Sequence, residues 1–288
     1  MSAALLGLLA ETHIHPGAGQ DDGTVDLPVV REKTTSYPFV PGSSVKGAIR
    51  DAVGRQRDED TVKHWFGVQD NAGLVMVSDA RLLLLPVRSL TGAYRWLTCP
   101  YLVERLLRDL RRVGQPYQGA PLTFDVATVD EPRVMTKGKG RLFLEERVFT
   151  IPSAPSNDLV KLLQSVIGDP QASARLGDQL AVVSDDDFAW FARYGLSVQA
   201  RNCLQSRDGK SDAKTSTNLW YEETLAPDTV MYLLLSDRYQ PDGKGGADAV
   251  AKLFTGGYLQ LGGNETVGQG WFQVTVLTGA TKEDGGTK

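Results

Sequence analysis

The chain has 288 residues, 41% of them hydrophobic and 23% charged, with a formal net charge of −4. That length suffices for one elaborated domain with a sizeable core, and the longest apolar run, Leu82 to Leu85, is far too short to span a bilayer. Cys99 and Cys203 stand far apart and form no CxxC pair, which argues against a cysteine-ligated zinc and fits a reducing cytoplasm.

The first stretch, AALLGLLA (residues 3–10), has the apolarity of a short signal-peptide core. No Lys or Arg precedes it and Glu11 follows at once, so it reads as a buried strand reaching roughly to Thr12. A loop of about 25 residues then runs to Pro41, and ordered loops that long are usually functional or flexible. Its first part, HIHPGAGQDDGTVDLP (His13 to Pro28), gathers His13, His15, Asp21, Asp22 and Asp26. Next, PGSSVKGAIRDAVGR predicts a helix with Ser43 or Ser44 as N-cap. Val45, Ile49 and Val53 recur on one face, and Lys46 and Arg50 lie one turn apart on the neighbouring face.

Further on, GLVMVSDARLLLLPV reads as a strand or a pair of strands. PYLVERLLRDLRRVG is an amphipathic helix with Pro100 in its first turn and Gly114 just past its end. NDLVKLLQSVIG and SDDDFAWFARYG predict two more helices, opened by Asn157 and Ser184. From Arg201 to Glu223 the chain is polar at its centre and apolar at its ends, the pattern of a projecting hairpin. Two strands follow, TVMYLLLSDRY and GWFQVTVLTG, with glycine-rich GGYLQLGGNETVGQG between them. Irregular alternation of strands and helices points to an α+β fold with an antiparallel sheet.

The net charge does not advertise a nucleic-acid binder, but local balance differs. Leu27 to Arg50 carries Arg31, Lys33, Lys46 and Arg50 against Glu32 alone. Arg88 to Arg112 carries arginines at 88, 95, 105, 108, 111 and 112 against Glu104 and Asp109. Phosphate binding depends on a local basic stripe more than on the total. The arginines from 105 onward read as a solvated helix face.

Familiar catalytic patterns fail one by one. His13 and His15 form an HxH, yet only His64 remains as a third histidine, too few for a histidine-ligated metal centre. Ser43 to Lys46 fits S-x-x-K without the partner motifs of penicillin-binding enzymes. No P-loop and no G-x-S-x-G is present. What remains is a carboxylate-bearing loop beside a helix start that offers Ser43, Ser44 and Lys46. Such a helix start suits a phosphate, and a carboxylate beside a phosphodiester could hold a metal or accept a proton. Binding nucleic acid and cutting it are both open to this stretch.

Six segments carry a resemblance spread over most of the chain: HPGAG (15–19), VDLPVVRE (25–32), YPFVPGSSVKGAIR (37–50), PVRSLTG (86–92), LWYEE (219–223) and LQLGGNETVGQG (259–270). Together, and in this order, they resemble the RAMP superfamily of CRISPR systems, and specifically the backbone subunit of the type III-B (Cmr) effector complex. The polar middle, about Gln115 to Pro155, carries little of it. The resemblance implies one RAMP domain over residues 1–288, a ferredoxin-like (RRM-type) palm elaborated by insertions, with a β-hairpin thumb at about 201–219. It also implies head-to-tail copies along a CRISPR guide RNA in the cytoplasm, with other type III-B subunits as partners and cleavage of complementary target RNA at regular intervals.

By the same resemblance Asp26 is the catalytic aspartate and the ligand of a divalent metal ion (Mg or Mn). His15 is a helper, as general acid or as the group that orients the loop, and Glu222 is a second helper or a structural pairing. Ser43, Ser44, Lys46 and Arg50 are expected at the RNA backbone, although Arg50 could only brace the helix. Gly262, Gly263, Gly268 and Gly270 belong to a loop near the guide, where turn geometry would also demand glycine. Asp21 and Asp22 read as solvated loop acids, and His13 as a packing or hydrogen-bonding group. Two alternatives stand beside this reading: a catalytically inactive filament subunit, and a free-standing, metal-independent RNA-processing endoribonuclease.

Overall fold

β1 (Ala3–Ala10) accounts for the unbroken apolar run near the start of the chain, because it lies in the middle of a sheet covered on both faces. The computed structural model describes residues 2–20, 23–126, 131–206, 214–238 and 246–278. Ala4, Leu6 and Leu8 enter one core while Leu5 and Leu9 enter the other, the period-two alternation of a strand. Gly7 is required by close approach, since a Cβ there would stand 2.0 Å from the Val166 carbonyl oxygen. The strand ends at Ala10 rather than Thr12, because exposed Glu11 starts a bend and the Thr12 hydroxyl instead accepts the Trp271 N–H at 3.1 Å.

The long loop leads to β2 (Phe39–Val40), α1 (Gly42–Gly54) and α2 (Glu59–Phe66). A small pair, β3 (Gly67–Val68) and β4 (Asn71–Ala72), precedes β5 (Val75–Val77), β6 (Ala80–Arg88) and β7 (Tyr94–Thr98). Then come α3 (Pro100–Arg112), β8 (Met135–Thr136), and the hairpin of β9 (Gly140–Leu144) and β10 (Arg147–Ile151). α4 (Asn157–Gln164), α5 (Pro170–Gln179), β11 (Leu180–Val182) and α6 (Asp185–Tyr194) follow. The chain continues through β12 (Ser197–Ser206), β13 (Lys214–Thr224), β14 (Val230–Asp237), α7 (Ala247–Lys252), β15 (Tyr258–Gln260) and β16 (Trp271–Thr278).

The main sheet runs β15-β16-β1-β14-β6-β7-β11-β8, with β2 attached to β6 and β5 to β14. Its pairings are antiparallel except β7 with β11, so the expected α+β class with an antiparallel sheet holds. α1, α2, α6 and α7 bury Val45, Ile49, Phe66, Phe188, Phe191 and Val250 against one face. α3, α4 and α5 bury Val103, Leu106, Leu110, Leu163 and Leu176 against the other. Among the described residues no helix is long and apolar enough to cross a membrane.

Several expectations need correction. α1 starts at Gly42 with Pro41 as its cap, so Ser43 and Ser44 stand in the first turn and are not the N-cap. The Asp79 carboxylate supplies the cap from outside, accepting the Gly42 N–H at 2.6 Å. α4 is capped by Ser156, not Asn157, whereas Ser184 caps α6 as expected. α2 and α5 are additional helices, each opened by an aspartate cap, Asp58 and Asp169. A solvated arginine face on α3 holds at Arg108, Arg111 and Arg112 but fails at Arg105, which is buried against Glu32 at 2.6 Å. The hairpin is longer than expected, pairing Ser197 with Thr224 through to Ser206 with Lys214, and among the described residues it pairs with no strand of the main sheet. Its turn, residues 207–213, lies outside the described residues.

Candidate functional site

The loop after β1 is stitched to the root of the hairpin. Ile14 and Leu225 exchange two backbone hydrogen bonds at 2.9 Å, which carries the chain from the end of β1 onto the end of β13. His15 comes next and is buried at 8% exposure. Its Nδ1 lies 2.8 Å from the Glu223 carbonyl oxygen, and a carbonyl only accepts, so Nδ1 carries the proton. The turn at Pro16 and Gly17 then doubles back, with the Val30 N–H donating to the Pro16 carbonyl (2.7 Å) and the Ala18 N–H to that of Pro28 (3.0 Å).

Between these ties sits Asp26. Its carboxylate is exposed, and its Oδ2 accepts the Tyr221 N–H of β13 at 2.7 Å. Leu27 continues the contact, donating to the Tyr221 carbonyl and accepting from the Glu223 N–H, both at 3.0 Å. Asp26 Oδ1 accepts no hydrogen bond from the described residues. Asp21 and Asp22 lie outside the described residues.

Two residues that the sequence reading did not assign hold this loop. The Glu223 carboxylate accepts the Val29 N–H (3.0 Å) and the Arg31 guanidinium (2.6 Å), while its carbonyl takes His15. Arg31 also donates to the carbonyls of Ala192 (2.6 Å) and Ser36 (3.0 Å), so it ties the loop to the end of α6. Both residues stand inside the quoted segments VDLPVVRE and LWYEE, but nothing local says that positions 192 apart meet.

Glu222 points elsewhere. It is buried at 2% exposure, paired with Arg201 of β12 at 3.3 Å, and accepts the Asn264 side-chain N–H at 2.5 Å. Asn264 sits in the left-handed region (φ +64°) of the glycine-rich loop and also donates to Gln269. Glu222 therefore links the hairpin root to the glycine-rich loop and does not reach solvent.

That loop closes over the His15 turn from the other side. The Gly263 N–H donates to the His15 carbonyl and the Gly270 N–H to that of His13, both at 2.9 Å. At Gly262, φ is +93° and a Cβ would stand 2.8 Å from the His15 carbonyl oxygen, so glycine is required twice over. Gly268 (φ +81°) faces open space. A cavity of about 300 Å³ opens between Pro16, Gly17, Ser44, Gly262 and Gly263. Ser43, Ser44 and Arg50 are exposed and Lys46 is half-buried, and none of these four has an ion-pair or side-chain hydrogen-bond partner among the described residues. Of the expected RNA-contacting residues, Ser44 and two of the four glycines, Gly262 and Gly263, thus meet at one cavity, adjoining the loop that bears Asp26.

No group of three His, Cys, Asp or Glu residues able to hold a metal exists among the described residues. The single carboxylate oxygen left by Asp26 fits a hard cation that keeps its waters and takes further oxygens from a phosphate, and not a cage built by the protein alone.

A family model described as the RAMP superfamily matches residues 8–273. The chain is 32% identical over 290 residues to the CRISPR system Cmr endoribonuclease Cmr4 of Pyrococcus furiosus, covering 96% of each protein. It is 25% identical to the CRISPR system CMR subunit Cmr4 of Saccharolobus solfataricus, over 93% of this chain and 94% of that one. The crystal structure of oligomeric Cmr4 from Pyrococcus furiosus superposes with a TM-score of 0.72 at 27% identity, covering 96% of this chain and 98% of the other. A chain of the type III-B Cmr-beta complex bound to cognate target RNA shares the fold (TM-score 0.71, 20% identity, 95% and 96% covered).

Proposed function

The chain belongs to the RAMP superfamily, and on that footing we propose that it is a backbone subunit of a type III-B CRISPR effector complex, one that holds guide RNA and cleaves complementary target RNA. The observation that carries this reading is Asp26: an exposed carboxylate with one oxygen fixed by the Tyr221 amide and the other left free, on a loop anchored at both ends. The main sheet serves as a ferredoxin-like palm and the β12–β13 hairpin as the thumb, within one RAMP domain. Copies stack head to tail along the guide, an open arrangement that suits a linear ligand. Other type III-B subunits complete the assembly.

The guide backbone lies across the first turn of α1, where Ser43, Ser44 and Lys46, without side-chain partners among the described residues, meet a phosphate, and Gly262 and Gly263 line the cavity beside Ser44. Asp26 acts on the target strand, its free oxygen taking the proton from a 2′-hydroxyl that attacks the neighbouring phosphorus, while the P–O5′ bond breaks and water protonates the leaving oxygen, giving a 2′,3′-cyclic phosphate and a 5′-hydroxyl. Where that oxygen instead holds a divalent cation together with the RNA, the cation would supply charge stabilisation at the phosphate. His15 keeps the loop's turn in place through its Nδ1–H, and Glu222 keeps the hairpin root against the glycine-rich loop. Both are positioning residues.

The test is a guide-loaded assembly given labelled complementary RNA, with and without magnesium, as wild type and as Asp26→Asn. Regularly spaced cuts that vanish in the variant, while target remains bound, are the expected result. Cuts that persist in Asp26→Asn would remove the aspartate from the chemistry. Binding without cuts in the wild type would leave a structural subunit.

A further inference from the structure

The arginine run of α3 makes no hydrogen bond or ion pair to Asp26 or to the first turn of α1. Tyr101, Arg105, Arg108 and Arg112 recur at helical spacing and line one side of a cleft of about 500 Å³. Arg81 of β6 enters the same cleft, together with Glu32, Asp79 and Asp109. Four arginines thus face three acids, and each acid is engaged already. Buried Asp109 accepts from the Tyr232 hydroxyl (2.9 Å), from Arg81, and from Arg112 at 3.4 Å. Glu32 takes Arg105 and the Thr35 hydroxyl, each at 2.6 Å, and Asp79 caps α1 through the Gly42 N–H.

The arginines are not equally engaged. Arg108 is exposed and has no carboxylate partner among the described residues; its guanidinium carbon lies 6.0 Å from the centre of the Tyr101 ring. Arg112 has 68% of its side chain exposed and only the long contact to Asp109. Arg105 is buried, and its Nε–H has no hydrogen-bond partner. Two exposed guanidinium forks, one without a carboxylate partner among the described residues and one with only a long contact, beside acids already engaged, suit an anion with several acceptor oxygens. Asp79 belongs both to this cleft and to the cap of α1, so the cleft opens next to the turn that carries Ser43, Ser44 and Lys46.

We propose that the α3 face is a second phosphate-binding track, which takes the sugar–phosphate backbone of RNA beyond the first turn of α1. Arg108 and Arg112 grip phosphate oxygens with their planar forks, and Arg105 supports them from beneath, while the Tyr101 ring, packed against Arg105 and Arg108, holds the stripe in place. Continuity with α1 through Asp79 favours RNA over an acidic protein segment. The inference rests on the RNA-binding reading above.

The test measures binding of labelled guide-length RNA to the full chain across a salt series, with wild type, Arg108→Ala/Arg112→Ala and Lys46→Ala. Both arginines are exposed, and a thermal melt checks that the double variant keeps its fold. Each phosphate contact contributes about 0.7 to the slope of log K against log salt on a single strand, so the double variant should lose about 1.4. Arg108→Lys/Arg112→Lys should restore the slope. Repeating the series with the guide annealed to its complement tells which strand occupies the track, since a change confined to the annealed form assigns it to the target. An unchanged slope in the double alanine variant, with Lys46→Ala still reducing it, overturns the track and leaves the main reading intact. Wild type that binds no RNA overturns both. If RNA binding is unaffected while wild type, but not the double variant, binds polyglutamate, the cleft takes acidic protein and the RNA inference falls.

Discussion

The anchor of the Asp26 loop and the first turn of α1 lie close together and are built in opposite ways. In the anchor, Glu223 uses both carboxylate oxygens and its carbonyl, and Arg31 reaches three acceptors. In the first turn, Ser43, Ser44 and Lys46 have no side-chain partner among the described residues. Groups that hold the backbone have their hydrogen bonds filled from within, because a buried donor or acceptor left unmatched costs about 1–3 kcal/mol. Groups meant for a ligand are left open at the surface, where water satisfies them until the ligand arrives. Asp26 combines the two, with one oxygen held and the other free.

That contrast can be broken or sharpened by substitution. The largest effect is expected at Asp26, where Asn keeps the shape and the contact to the Tyr221 amide but loses the basic oxygen. Target cleavage by the guide-loaded assembly should fall by roughly 10² or more, the range for removal of a general base, while the Kd for target changes less than about two-fold. Arg31→Met leaves Glu223 without its cation in a mostly buried site and should cost about 3 kcal/mol in urea unfolding. A loss below about 1 kcal/mol would show that the anchor does not bear on stability.

Gly262→Ala places a Cβ against the His15 carbonyl in a left-handed conformation and should cost about 2 kcal/mol, whereas Gly268→Ala, facing open space, should cost only about 1. Equal costs would mean that the close approach to His15 is relieved by a small shift. Lys46→Ala should leave stability within about 0.5 kcal/mol and lower the RNA salt slope by about 0.7. The smallest response is expected at Cys99. Burial pushes its thiol up to about 12, so the thiolate fraction at pH 8 is of order one in ten thousand. Peptide mapping after iodoacetamide treatment of the native protein should find Cys99 unmodified, and prompt alkylation would contradict its burial.

What could be read from the sequence were features whose cause lies within a few residues. The Val45, Ile49, Val53 stripe, Pro100 and Gly114 bracketing α3, and the Ser184 cap all emerged where expected. α2 and α5 had comparable signals in Asp58 and in the Asp169–Pro170 pair, but each helix is only two to three turns long and its apolar pattern is correspondingly brief. The cap of α1 was misassigned because the carboxylate that provides it, Asp79, is 37 residues away. Lys46 stood out from the local chemistry of its helix start and Asp26 through resemblance, while Arg31 and Glu223 were passed over because their role exists only once distant segments meet. Arg105 misled for the same reason: its helical position is that of a surface residue until Glu32 covers it.

The placement of β1 also bears on synthesis. Its two neighbours are β14 and β16, in pairings such as Leu5 with Leu234 and Leu8 with Val274. A ribosome adding 5–20 residues per second needs roughly 10 to 45 s to reach the first of these partners after β1 has emerged. During that interval AALLGLLA has no strand to join, and the main sheet cannot close around it. Such distant pairing belongs to slow-folding topologies, and the nascent chain carries an uncovered apolar segment through most of its translation.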